Sequence, residues 1–188
     1  MFEDKRGERI ALVAHCLLNQ NAKVGGLARY PGIVPGIVEL LMKYDFGIVQ
    51  MPCPEMMAAG IIRWGQVKEQ YMCYGFYKDF KQIAVSLVDS ISDYITHGYT
   101  IVLIGIDGSP SCGVHITESN STWGGSMLTV DECQVENIKA PGAFVELFQK
   151  ELSNRGIKPI PAIGLPMDLH DGKFDLSELE RFLASVTK

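Results

Sequence analysis

"TIVLIGIDGSPSCGVH" (residues 100–115) decides how the rest of the chain is read. Its first half is an unbroken apolar run rich in Val and Ile, the pattern of a strand covered on both faces of a parallel sheet. Its second half is a small, turn-prone loop carrying Cys112. Two further apolar runs, "RIALVAHC" (9–16) and "FGIVQMPCPE" (46–55), also stop on a cysteine. Buried strands are therefore expected over 10–15, 46–51 and 100–106. A fourth is expected over 158–165, where Pro159 and Pro161 suit an edge better than a centre.

Helical patterns lie between these runs. "GIVPGIVELLMKY" follows the first strand, with Pro35 tolerable only near a helix start. Over 76–97, Phe80, Ile83, Ala84, Leu87, Val88, Ile91 and Ile95 fall at helical spacing, and Gly98 is placed to stop the helix. Pro141, in a first helical turn, opens "GAFVELFQKELSNRG", which Gly156 closes. "DLSELERFLASV" completes the set, with Asp175 or Ser177 as its cap. Strand and helix in alternation predict an α/β fold: one domain over 1–188, a mostly parallel sheet with helices on both faces, Rossmann-like or flavodoxin-like. The irregular stretch 114–138 is too long for a plain connector and reads as a binding loop or a small β-hairpin.

A chain of 188 residues with a net charge of −5 offers no basic face for a nucleic-acid duplex. No apolar run is long enough to span a bilayer, and the polar start "MFEDKRGERI" lacks a signal-peptide core, so the cytoplasm is expected, with no membrane contact. Five cysteines, an odd number with no CxxC pair, argue against a disulfide framework and against a local zinc motif. No glycine-rich phosphate loop follows any strand, which leaves a nucleotide-binding module without support.

Ligands of open parallel sheets bind outside the carboxyl ends of the strands. Cys16, Cys53 and Cys112 stand at three such ends, and neighbouring strands would bring their thiols together. Proline and polar neighbours make these loops poor places for core-filling cysteines. Cys73 and Cys133 lack such placement and read as structural. Three thiolates without a fourth ligand suit a zinc ion with an open position, or an iron–sulfur cluster with one open iron.

At these residues the chain resembles the 2-thiouracil desulfurases and their relatives. The family's marks stand here as Cys16–Leu17–Leu18, Cys53–Pro54–Glu55 and Ser109–Pro110–Ser111–Cys112–Gly113, and "HCLLNQN" is similar to a TudS-related desulfidase subgroup. The resemblance implies a [4Fe–4S] cluster on Cys16, Cys53 and Cys112, with one iron open to the sulfur of a small thiolated substrate. It implies replacement of that sulfur by water, without net redox change, with Glu55 as general acid/base and Ser109 assisting by hydrogen bonding. Arg63 stands where the family often carries an arginine, and Asn19 replaces a family glycine. Lys23 heads "KVGG", one of two stretches that align with the family's "RYDG", and neither keeps the aspartate. Arg63, Asn19 and Lys23 are the candidates for substrate binding. His15 and His115 flank the cysteines and are candidates for bonding a cluster sulfur. A sulfide- or cluster-binding carrier or sensor without turnover is the alternative reading.

Overall fold

A four-stranded sheet carries the chain: β1 (Arg9–Val13), β2 (Gly47–Gln50), β3 (Thr100–Ile106) and, after the short β4 (Thr117–Ser119) and β5 (Glu136–Ile138), β6 (Ala162–Leu165). The structure, a computed structural model, describes residues 3–124, 135–166 and 173–187. The sheet order is β2-β1-β3-β6, and every pairing is parallel. The chain leaves β1 to one side for β2 and crosses to the other side for β3. The sheet therefore has its switch point between β1 and β3, where loops diverge and leave a crevice.

Ala11–Val13 and residues 101–106 are buried at nearly every position. Successive side chains point to opposite faces, so both faces of these two strands are covered, as their apolar runs predict. The run over 46–51 departs from expectation. Only Gly47–Gln50 pair, and they form an edge strand whose residues are exposed or half-buried rather than buried. An apolar run records a tolerance for burial and does not require a covering helix. The last strand is an edge, as expected, but its pairing begins at Ala162 because Pro159 and Pro161 precede it and have no amide hydrogen to donate.

The longest helix, α5, follows four shorter ones: α1 (His15–Leu18), α2 (Ile37–Lys43), α3 (Pro54–Ala59) and α4 (Lys68–Tyr71). α5 itself spans Tyr74–Thr96 and buries the predicted stripe from Phe80 to Ile91. It packs on α6 (Ala143–Asn154), with the Phe80 and Phe144 rings 6.3 Å apart and edge to face. Full burial of each ring contributes roughly 1.5–3 kcal/mol. Gly142 is the cap of α6, so Pro141 lies ahead of the helix rather than in its first turn. In α7 (Ser177–Val186) the cap position is Leu176 rather than Asp175 or Ser177, and Asp175, one residue ahead of it, accepts from the Ser177 amide at 2.9 Å. The three shortest helices carry too few turns to show a periodicity, and sequence reasoning did not place them. One of them holds Cys16, and another begins directly after Cys53. No helix among the described residues is long and apolar enough to cross a membrane.

Candidate active site

Val13 on the central strand is level with Gln50 on one side and Ile104 on the other. Cys16 follows Val13 by three positions, and Cys53 follows Gln50 by three, so both emerge at one height above the sheet. Cys16 lies in α1, which begins as soon as β1 ends. Gln20, fully buried, donates to the Cys16 carbonyl at 2.6 Å and accepts from the Arg29 amide at 3.0 Å, which fixes the loop behind the cysteine. Cys53 is the N-cap of α3; Pro54 is pre-set for the first helical position, and the Met56 amide donates to the Cys53 sulfur at 3.4 Å.

Cys112 needs a longer path from β3. The loop turns back so that the Ile106 amide donates to the Cys112 carbonyl at 3.0 Å. Asp107 gathers the amides of Val114, His115 and Ile116 on one carboxylate oxygen. Gly142 lies so close that a Cβ there would stand 2.5 Å from the Ser111 carbonyl carbon, so the start of α6 clamps the Cys112 loop from behind.

All three cysteines line one cavity of about 350 Å³, within the range of small-molecule sites. Each thiol is pushed up. Burial drives Cys16 to about 12, with Cys53 and Glu55 adding to the effect and Lys23 opposing it. Burial likewise raises Cys53, against the Met56 amide, and raises Cys112 well above the ordinary value, with Cys16 contributing. The three sulfurs thus lie within electrostatic reach of one another. Among the described residues, however, no group of three His, Cys, Asp or Glu side chains is arranged to hold a metal ion.

Glu55 stands between two of these loops. Ser111 donates to its Oε1 at 2.5 Å, and Arg63 donates from Nε to its Oε2 at 3.0 Å. The Arg63 and Glu55 side chains are only 4% and 10% exposed. Arg63 also donates to the carbonyls of Ala22 at 2.9 Å and Gly60 at 3.3 Å, and approaches the Cys53 sulfur at 4.0 Å. Burial alone would lower its pKa, but the Glu55 charge and hydrogen bond prevail and raise it. Arg63 lines the cavity, yet its donors are committed to Glu55 and to the backbone of two flanking loops. The contacts fix Arg63 against the Glu55 carboxylate.

The other candidates divide. Ser109 lines the cavity and accepts from the Cys112 amide at 3.0 Å, shaping the loop, while the serine bonded to Glu55 is its neighbour Ser111. Lys23 lines the cavity with its ammonium 5.5 Å from the centre of the Phe174 ring, and burial lowers its pKa. Asn19 does not line the cavity; its side chain accepts from the Asn21 amide at 3.2 Å and caps a 3-10 turn. His15 lines the cavity and His115 does not. Cys73 is exposed at the start of α5, and Cys133 lies outside the described residues. The ends of the irregular segment pair as β4 and β5, antiparallel, as the hairpin expectation has it, and they bring Glu118 and Asn137 to the cavity. Sequence reasoning missed both, together with Gln66 and Ser111. Only Ser111 carried a local signal, its place beside a proposed ligand.

Fold and site together define a parallel α/β protein with three cysteines from three adjacent strands converging on one cavity. The chain belongs to the same family as the uncharacterized protein MJ0003 of Methanocaldococcus jannaschii. The two are 38% identical over 109 residues, 58% of this chain and 70% of that protein. No family model matches the chain. Among solved structures it is similar to the [4Fe–4S]-dependent thiouracil desulfidase TudS, at 20% identity and a TM-score of 0.45, over 82% of this chain and 89% of that one.

Proposed function

We propose that the protein is an iron–sulfur-dependent desulfidase that removes sulfur from a small thiolated compound. The observation that carries the proposal is the convergence of Cys16, Cys53 and Cys112 on one cavity that also holds the clamped carboxylate of Glu55. The donor set suits a cluster: three thiols reach one cavity from three loops, and iron–sulfur clusters take thiolates by preference. Burial keeps the thiols protonated until metal binding displaces their protons. Cys16, Cys53 and Cys112 would hold a [4Fe–4S] cluster, which supplies an open Lewis-acidic iron with affinity for sulfur.

The chain's own residues supply the proton handling. In the overall change a thiocarbonyl and one water become a carbonyl and hydrogen sulfide, with no electrons gained or lost. Glu55 takes a proton from the water at a carboxylate oxygen and returns it to the departing sulfur. Arg63 and Ser111 hold that carboxylate in one orientation, and Ser109 fixes the Cys112 loop beside it. Val24, Leu27 and Ile116 add apolar side chains to the wall of the cavity.

Turnover separates this reading from a sulfur carrier. Incubated anaerobically with 2-thiouracil after cluster reconstitution, the protein is expected to release many equivalents of sulfide per chain, with uracil as co-product. At most one equivalent would identify a carrier, and none would remove the thiolated substrate from the account.

A further inference from the structure

Exposed apolar side chains concentrate between Met57 and Tyr74. Ile62, Tyr74 and Trp64 are 94%, 85% and 66% exposed, and Met57, Ile61 and Met72 are exposed with them. The six share one side of the fold, because α3 packs on α5 and the loop 60–67 joins α3 to α4, which leads directly into α5. Within that loop the side chains alternate: Arg63 turns inward to Glu55, while Ile62 and Trp64 on either side of it turn out to solvent. The only charges between Met56 and Tyr77 are Arg63, Lys68 and Glu69. Each is tied within the chain. Arg63 donates to Glu55, Lys68 pairs with Glu146 at 2.6 Å, and Glu69 accepts from the Ser119 hydroxyl and the Asn120 amide.

We propose that this face, centred on Ile62 and Trp64, joins two copies of the chain in a symmetric dimer. Taking a large side chain at roughly 200 Å², the exposures of the six residues amount to on the order of 800 Å². That exceeds the apolar patch of an ordinary monomer and matches what each partner contributes to a stable complex. Charge selects the partner. A chain of net charge −5 repels its own copy unless the two meet where no free charge is presented, and this face meets that condition. A two-fold axis sets the same uncharged patch against itself, with a core as poor in charge as homodimer interfaces are. An anionic bilayer is a poorer fit, since the face offers no uncommitted lysine or arginine to its headgroups. The dimer goes beyond the desulfidase reading and does not depend on it. The two meet at Arg63: packing Ile62 and Trp64 against a second copy would brace the loop that brings Arg63 to Glu55.

Sedimentation velocity of the anaerobically reconstituted protein, with reductant present and over a range of micromolar concentrations, tests this. Wild type is expected to sediment at twice the chain mass. Ile62→Asp and Trp64→Asp are each expected to weaken the dimer at least about a hundredfold, because a hot-spot loss counts twice across a two-fold axis. Both side chains are exposed, so the monomeric variants should keep the wild-type Tm once dilution has dissociated the wild type. Hydrogen exchange of wild type above and below its dissociation concentration locates the contact without any variant, and protection is expected over 57–74. A wild type that stays monomeric would overturn the proposal. So would a dimer that persists in both variants, or protection confined to another face such as the exposed edge strand β2. Co-flotation of a monomeric wild type with phosphatidylcholine vesicles, lost in Trp64→Asp, would likewise overturn it and assign the face to a membrane surface.

Discussion

Glu55→Gln is expected to load iron as wild type does and to release sulfide from 2-thiouracil at least about a hundredfold more slowly, the usual loss when a general acid/base is removed. The amide keeps the shape of the carboxylate and can still accept from Arg63 Nε, which reaches Glu55 Oε2 at 3.0 Å. It cannot take the proton of an attacking water. Iron content and sulfide release measured on one preparation keep the two effects apart. A variant with full iron and wild-type turnover would remove Glu55 from the chemistry.

Arg63→Met is expected to be the most destabilising single change at the site. It removes the counter-charge of Glu55 and the donors to the Ala22 and Gly60 carbonyls at once. Breaking a buried ion pair on one side costs about 3–5 kcal/mol. The lower figure applies here, because both side chains border a cavity that water can enter. For a chain of this length that is a fall in Tm on the order of 10 °C. In the double variant Arg63→Met, Glu55→Gln no charge is left unpaired, so part of the loss should return. A denaturant titration of the two single variants and the double reads this directly. Equal losses in Arg63→Met and the double variant would mean that the backbone contacts, and not the charge pair, hold these loops.

The strand-end cysteines were legible because a parallel sheet puts its functional ends on one side and marks its strands by continuous apolar runs. β1 and β3 obey that rule; β2 is apolar yet exposed at an edge, which composition cannot distinguish from burial. Side-chain roles were less legible than positions. The two serines of "SPSC" differ only in which way their hydroxyls face, and the loop geometry assigns the Cys112 amide to Ser109 and Glu55 to Ser111. Arg63 lines the cavity as its place in the sequence suggested, but its commitment to Glu55 depends on the turn from α3 that brings it back beside Cys53. Gln66, Glu118 and Asn137 come from segments without a motif, brought together only when β4 pairs with β5 and α4 docks on β4. Asn19 carried the opposite lesson: an asparagine after a strand has backbone amides to cap, and here it does so.

Iron and acid-labile sulfide per chain after anaerobic reconstitution, in wild type and in Cys16→Ala, Cys53→Ala and Cys112→Ala, test the central claim most directly. About four of each are expected in wild type, as a single cubane requires, with a large loss in every variant. Wild type without stable iron, or a Cys112→Ala variant loading as much iron as wild type, would contradict a cluster held by the three strand-end cysteines.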